Sequence, residues 1–166
     1  MFHFRAFTLA LLLSLSSTLA GAQSANIAVG TGAFDASSPV EVTADEFTVD
    51  QSNGRAVFDG NVLVVQGAVR LAAGRVTIEY EEGTSTGISR LLASGGVTFV
   101  TSTDAAEASD AVYSVSDSIV TLSGDVILTQ GQSTIAGDRL VVDLGSGDGR
   151  MEGRVRTVFT PADGNN

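Results

Sequence analysis

The sequence predicts an all-β fold, an antiparallel sheet that turns over on itself as a roll, and three observations predict it. First, a glycine-centred phrase recurs as Asp59-Gly60-Asn61-Val62, Ser94-Gly95-Gly96-Val97, Ser123-Gly124-Asp125-Val126 and, more loosely, Glu152-Gly153-Arg154-Val155. Successive phrases lie 35, 29 and 29 residues apart by glycine position, and a period of that size marks one supersecondary unit stacked several times. Second, Val, Ile and Thr dominate the apolar runs, and no helix-length segment carries a 3.6-residue period. Third, the only prolines, Pro39 and Pro161, bracket the repeats. Proline cannot donate to a ladder, so the long interval between them suits an uninterrupted sheet.

The elements follow in chain order. His3 and Arg5, the apolar run Ala6 to Leu19 and the small residues Ala20-Gly21-Ala22 read as a cleavable secretory signal over residues 1–22, cut after Ala22. Its apolar core is short of the about 20 residues a membrane span needs. Residues 23–38 are rich in Gly, Ser and Ala with a lone Phe34, lack periodicity, and read as a flexible lead-in. Residues 39–160 form the β domain, and 161–166 a disordered polar tail.

Within the domain each glycine phrase has a partner of the form small-small-x-apolar-x-apolar. The partners begin at Ala44-Asp45, Ala73-Gly74, Ala108-Ser109 and Ala136-Gly137-Asp138. A shift of 64 residues lays Phe58–Glu79 onto Leu122–Asp143, carrying Gln66-Gly67 to Gln130-Gly131 and Arg75 to Arg139. Turn signals stand at Asn53-Gly54, Glu82-Gly83, Gly95-Gly96 and Asp148-Gly149. Asn53-Gly54 is expected to close a hairpin between Glu46–Asp50 and Arg55–Phe58. A meander of a dozen or more short strands is expected, and a sheet that long curls or folds into two facing layers. Glycine inside a strand marks a bend or a close approach, so the repeated glycines are expected to let every layer bend at one corner.

Composition excludes most chemistry. Removing the signal leaves eight arginines, no lysine and nineteen carboxylates, a formal net charge of −11, together with no histidine and no cysteine. Nucleic acid is excluded as a partner, because phosphate backbones are bound by Lys and Arg. Disulfides, a lipoprotein anchor, Ser-His and Cys-His nucleophiles and the usual zinc ligands are excluded too. No cofactor, metal or catalytic residue is expected. Asp45/Glu46 and Glu81/Glu82 are acid pairs, but neighbours on a strand point to opposite faces, which disfavours a glycosidase. Gly145-Ser146-Gly147-Asp148-Gly149 has the look of a calcium loop; as a single copy it fits a turn better.

What remains is an inward apolar face. Val40, Val42, Phe47, Phe58, Val62, Val64, Val97, Phe99, Tyr113, Val115, Leu122, Val126, Leu128 and Leu140 are its candidate lining. Composition alone leaves open whether that interior is a packed core or a ligand groove.

Pro39-Val40-Glu41-Val42-Thr43-Ala44-Asp45, followed by Phe58-x-Gly60-Asn61-Val62-x-Val64-x-Gln66-Gly67 and Leu71-x-Ala73, resembles the OstA-like LptA family of periplasmic lipopolysaccharide-transport proteins. The resemblance covers nearly all of residues 39–160. It implies a slightly twisted β-jellyroll, open at both ends, whose interior carries lipopolysaccharide acyl chains. It implies a periplasmic location and head-to-tail stacking between an LptC-like inner-membrane partner and an LptD-like outer-membrane partner.

By motif, Val40, Val42, Phe99, Tyr113 and Val115 match interior lipid-contacting positions. Aligning Asp110 with Asp138 instead puts Val112 inward and turns Tyr113 outward. The assembly edges are expected at Val42 and Thr43 in the first strand and at Val155, Val158 and Phe159 in the last, where unpaired backbone groups invite strand addition. The alternative reading is an exported β-roll scaffold with a sealed core and no lipid ligand.

Overall fold

The computed structural model describes residues 24–30, 34–50, 52–81, 83 and 87–159. The signal segment with its cleavage site and the tail 161–166 lie outside the described residues. The strands are β1 (Ser24–Ala28), β2 (Glu41–Thr43), β3 (Glu46–Asp50), β4 (Arg55–Gln66), β5 (Val69–Tyr80), β6 (Ile88–Ser94) and β7 (Val97–Val100). They continue as β8 (Asp104–Ala108), β9 (Asp110–Ser114), β10 (Ile119–Gln130), β11 (Ser133–Asp143), β12 (Asp148–Glu152) and β13 (Arg156–Val158). All thirteen belong to one antiparallel sheet.

The sheet folds along a crease into two facing half-sheets. Its layers are bent strands stacked as a meander. β4, β5, β10 and β11 run through the crease unbroken, whereas β2/β3, β6/β7, β8/β9 and β12/β13 are each one bent strand interrupted there. One half-sheet holds β3, the first half of β4, the second half of β5, β6, β9, the first half of β10, the second half of β11, β12 and β1. The other holds β2, β7, β8, β13 and the remaining halves of the long strands.

The recurring phrases build the crease, because glycine phrases and small-residue phrases alternate from layer to layer and touch there. Gly60 lies against Asp45, Gly95 against Gly74, Gly124 against Ser109 and Gly153 against Asp138. At Gly124 φ is +84°, and an added β-carbon would lie 2.8 Å from Cβ of Ser109; only a residue without a side chain takes that place. The residue after each of these glycines is left-handed as well, including Asn61, Asp125 and Arg154. Backbone bonds close the corner: the Asp45 amide donates to the Gly60 carbonyl at 2.9 Å, and the Asp138 amide to that of Gly153 at 3.1 Å.

The 64-residue repeat is two hairpins of one geometry. Phe58 faces Val76 in the first as Leu122 faces Leu140 in the second, and the bulges fall between Asp59 and Val62 and between Ser123 and Val126. The expected hairpin at Asn53-Gly54 forms, with Asp50 opposite Arg55. Its loop is held by the Asp50 carboxylate, which accepts from the Ser52 amide at 3.0 Å and hydroxyl at 2.6 Å. Those bonds hold the Asp50 carboxyl below the usual range.

Three expectations are corrected. The long strands reach 12 residues rather than staying short. Gly95-Gly96 is a corner rather than a reversal, since β6 and β7 both pair with β5. Asp148-Gly149 lies within β12, and the reversal before it is made by Leu144–Ser146, where the Asp143 carboxylate accepts from the Gly145 and Ser146 amides.

The largest correction concerns the lead-in. Residues 24–28 are a strand, β1, paired along its whole length with β12 at the other end of the domain. Its sequence, with Ile27 as the only large apolar residue, has weak strand preference; the exposed edge of β12 supplies what propensity does not.

Candidate functional site

The inner surfaces of the two half-sheets carry rows of side chains that cross every layer. Nearest the crease, one row runs Phe47, Phe58, Val76, Ala93, Ala111, Leu122, Leu140 and Met151. Facing it, a row of the other half-sheet runs Val42, Val64, Leu71, Phe99, Ala106, Leu128 and Ile135. Period-two alternation places them all inward, and outward neighbours such as Leu63, Val112 and Ile127 are exposed.

Side-chain size shapes this interior. Leu122, Leu128, Leu140, Leu144 and Met151 are fully buried and fill the end near β11 and β12. The middle layers instead carry Ala73, Ala93, Ala106 and Ala111. A narrow apolar cavity of about 30 Å³ lies beside Ala93, lined by Val64, Val69, Leu71, Leu91, Phe99, Tyr113 and Leu144 among others. At the β3 end the interior opens: Phe47 and Val49 are 56% and 53% exposed although both point inward, and the Phe47 ring rests on Phe58 with centroids 4.7 Å apart.

Opposite the crease, where the half-sheets meet only at their tips, a polar rim replaces the apolar rows. The Tyr113 hydroxyl, from one half-sheet, donates to Oε1 of Gln66, from the other, at 2.8 Å. Burial pushes the Tyr113 hydroxyl pKa up. Gln66, Thr101 and Asp104 are buried along this rim. Nε2 of Gln66 donates to the carbonyls of Ala36 and Ser38, at 3.3 and 3.1 Å, and Nε2 of Gln130 to that of Ala28 at 2.6 Å.

All fourteen residues expected on the inward face lie there. Val62, Val64, Val97, Phe99, Tyr113, Leu122, Val126, Leu128 and Leu140 are buried; Val40, Val42, Phe58 and Val115 pack partly buried against them; Phe47 is at the open end. Tyr113 faces inward opposite Val120, which settles the frame against the Asp110 alignment. Residues not foreseen include Val76, Ile78, Leu91, Val120, Val142 and Met151. Val120 and Val142 stand two positions from the foreseen Leu122 and Leu140, so strict alternation would have found them. Val29 and Leu144, both buried in the core, lie one residue past the ends of β1 and β11 and belong to no strand.

The expected edges are partly as foreseen. β2, with Val42 and Thr43, and β13, with Val158, are outermost in their half-sheet, and Val158 and Phe159 are exposed. In the other half-sheet the outermost strands are β3 and, unforeseen, β1. Between them the sheet does not close among the described residues.

The two ends differ in charge. Residues 41–50 hold Glu41, Asp45, Glu46 and Asp50 and no cation, whereas 150–158 hold Arg150, Arg154 and Arg156 against Glu152 alone. Ion pairs link Arg154 to Asp138 at 2.6 Å and Arg150 to Glu152 at 3.1 Å. Hydrogen bonding from Arg154 holds the Asp138 carboxyl below its ordinary range. Glu79, between Arg90 and Arg55 on the outer face, is lowered likewise, chiefly by its bond to Arg90. Among the described residues no group of acidic side chains is arranged to hold a metal ion.

The chain matches the family described as LptA/(LptD N-terminal domain) LPS transport protein over residues 41–148. An uncharacterized protein of Rhizobium meliloti (strain 1021) is 26% identical over 133 residues, covering 74% of this chain and 72% of that protein. The crystal structure of LptH, the LptA homologous periplasmic component of the lipopolysaccharide transport device from Pseudomonas aeruginosa, shares the fold with a TM-score of 0.68. It is 21% identical and covers 76% of this chain and 99% of its own. The bent-strand roll, the glycine crease and the family match over most of the β domain converge: this chain belongs to the LptA/LptD N-terminal domain family of lipopolysaccharide-transport proteins.

Proposed function

We propose that the protein is a non-enzymatic periplasmic carrier that takes lipopolysaccharide acyl chains between its half-sheets and passes them along head-to-tail stacks bridging the inner and outer membranes. The observation that carries this reading is the inner apolar face, which runs across every layer and ends exposed at Phe47 and Val49 instead of being capped. Burying one methylene is worth about 0.8 kcal/mol, so an acyl chain of about a dozen carbons represents roughly 10 kcal/mol. Release into water is correspondingly slow. Transfer from one apolar interior to the next avoids that exposure, and each step is nearly isoenergetic, so direction must come from an energy source elsewhere.

The acidic surface suits acyl chains as the recognised part, with the lipid's sugars and phosphates outside. Arg70, Arg75, Arg139, Arg154 and Arg156 sit on solvent-facing positions, where they offset local repulsion. A photo-crosslinking residue at Phe99 or Tyr113 is expected to label lipopolysaccharide in cells, and one at the outward Val112 is not. Absence of lipid from every inward position would favour the sealed scaffold.

Stacking is expected to join the acidic β2/β3 end of one copy to the arginine-bearing β1/β13 end of the next, because like ends repel. A heterologous contact of this kind does not close and yields filaments. The same edges would receive the LptC-like and LptD-like partners. Proline at Val42 together with proline at Val158 is expected to reduce the sedimenting oligomer, and raising ionic strength from about 0.01 to 0.15 M to weaken it, as screening shortens to about 8 Å. Unchanged sedimentation in both experiments would remove the edge model.

A further inference from the structure

The buried interior beside Phe99 and Tyr113 is narrow, with Val64, Leu71, Leu91 and Val120 around it. The crease is closed by β4, β5, β10 and β11, which run through it unbroken. On the free side, opposite the crease, side-chain hydrogen bonds such as that of Tyr113 to Gln66 join the half-sheets. The described parts of the N-terminal segment, residues 24–30 and 34–40, lie along that side.

This segment ties one half-sheet to the other. β1 is laddered to β12, and the Val29 amide donates to the Gly147 carbonyl at 2.8 Å. One residue on, the chain is held by the opposite tip: the Gly30 amide donates to Oδ2 of Asp104, and the Gly30 carbonyl accepts from the Ser102 and Thr103 hydroxyls at 3.1 and 3.3 Å. Gln130 reaches the Ala28 carbonyl and Oδ1 of Asp104. Further along, Gln66 takes the carbonyls of Ala36 and Ser38. Gln66 and Gln130 occupy the same position in the two repeated hairpins, so one device is used twice. The segment also pushes apolar side chains inward: Val29 is buried in the core and Phe34 packs against it.

We propose that the segments 24–30 and 34–40 are a strap that latches the free side of the roll, with Val29 and Phe34 taking interior apolar places in the unloaded state, and that its release admits acyl chains. The latch is polar and directional on its second-half-sheet side, where side-chain hydrogen bonds at the rim hold it. Such bonds each contribute little net stability when water can replace them, so this side can open while the β1/β12 ladder stays closed. The proposal rests on acyl-chain carriage as the function.

A disulfide tests it. An added β-carbon on Gly30 would lie 3.0 Å from Cβ of Thr103, so a separation of about half an ångström brings the pair into the roughly 3.5–4.5 Å range of disulfide-bonded residues. The chain has no cysteine of its own, so Gly30→Cys with Thr103→Cys forms one defined bridge. Purified lipopolysaccharide is added to wild type and to the oxidised and reduced double variant, and retained lipid is measured over time.

The reduced variant, which lacks the bond from the Thr103 hydroxyl to the Gly30 carbonyl, is expected to load at least as fast as wild type, and the oxidised one at least tenfold more slowly than the reduced one. Equal loading of the oxidised and reduced forms overturns the strap and leaves carriage standing. No loading of wild type overturns carriage, and the strap with it. Should the double variant fail to fold, Gln130→Ala decides: severalfold faster loading supports the strap, and an unchanged rate overturns it.

Discussion

Truncating Leu140 to alanine is expected to cost about 2–5 kcal/mol of stability, the range for a fully buried leucine that leaves a cavity behind. Leu140 is 0% exposed, faces Leu122 on β10 and Met151 on β12, and lies where the interior is filled by large side chains rather than thinned by alanines. At about 2–4 °C per kcal/mol for a chain of this size, the melting temperature should fall by roughly 10 °C. Val112→Ala, on the outer face of β9 at 38% exposure, is the matched control and should stay within about 0.5 kcal/mol. Urea unfolding of the two variants checks both. A loss below 1 kcal/mol at Leu140 would mean that the β11/β12 end is a slack lumen rather than a packed wall, and would move the site of lipid carriage toward it.

Valine in place of Gly124 is expected to cost about 3 kcal/mol or more, through two separable causes. A β-branched residue at φ +84° is strained by about 1–3 kcal/mol, and its β-carbon would collide with Ser109 across the crease. Gly54 separates the causes. It has φ +58° with nothing within 4 Å of an added β-carbon, so Gly54→Val reports backbone strain alone. Adding Ser109→Gly to Gly124→Val should recover the part due to collision and leave the strain. If Gly54→Val and Gly124→Val cost the same, close approach at the crease contributes nothing and the small-residue phrases need another explanation.

Much of this architecture was legible because the crease is written locally. Phrases such as Ser123-Gly124-Asp125-Val126 and Ala108-Ser109 announce both the bend and the small partner it needs, and Phe58, Val62 and Val64 alternate as a bent strand must. The lining of the inner face was legible for the same reason, a period of two on either side of a glycine. Tyr113 was ambiguous from sequence because its layer is interrupted at Ser109, and a one-residue slip there reverses every side chain that follows. Pairing with Val120 and Leu91 resolves it. Gln66 and Gln130 were visible as a repeated pair, yet their role depends on carbonyls of the lead-in that no local pattern joins to them.

The amino-acid order by itself determined the repeat, the corner in every layer, the apolar face and the membership that follows from them, since each is set by neighbours a few residues apart. Only the tertiary structure decided that Ser24–Ala28 is a strand, that the lead-in lies across the free side, and that the interior is narrow there. Those features come from pairing between opposite ends of the chain, where an unsatisfied sheet edge and a buried glutamine find partners that short-range preference cannot specify.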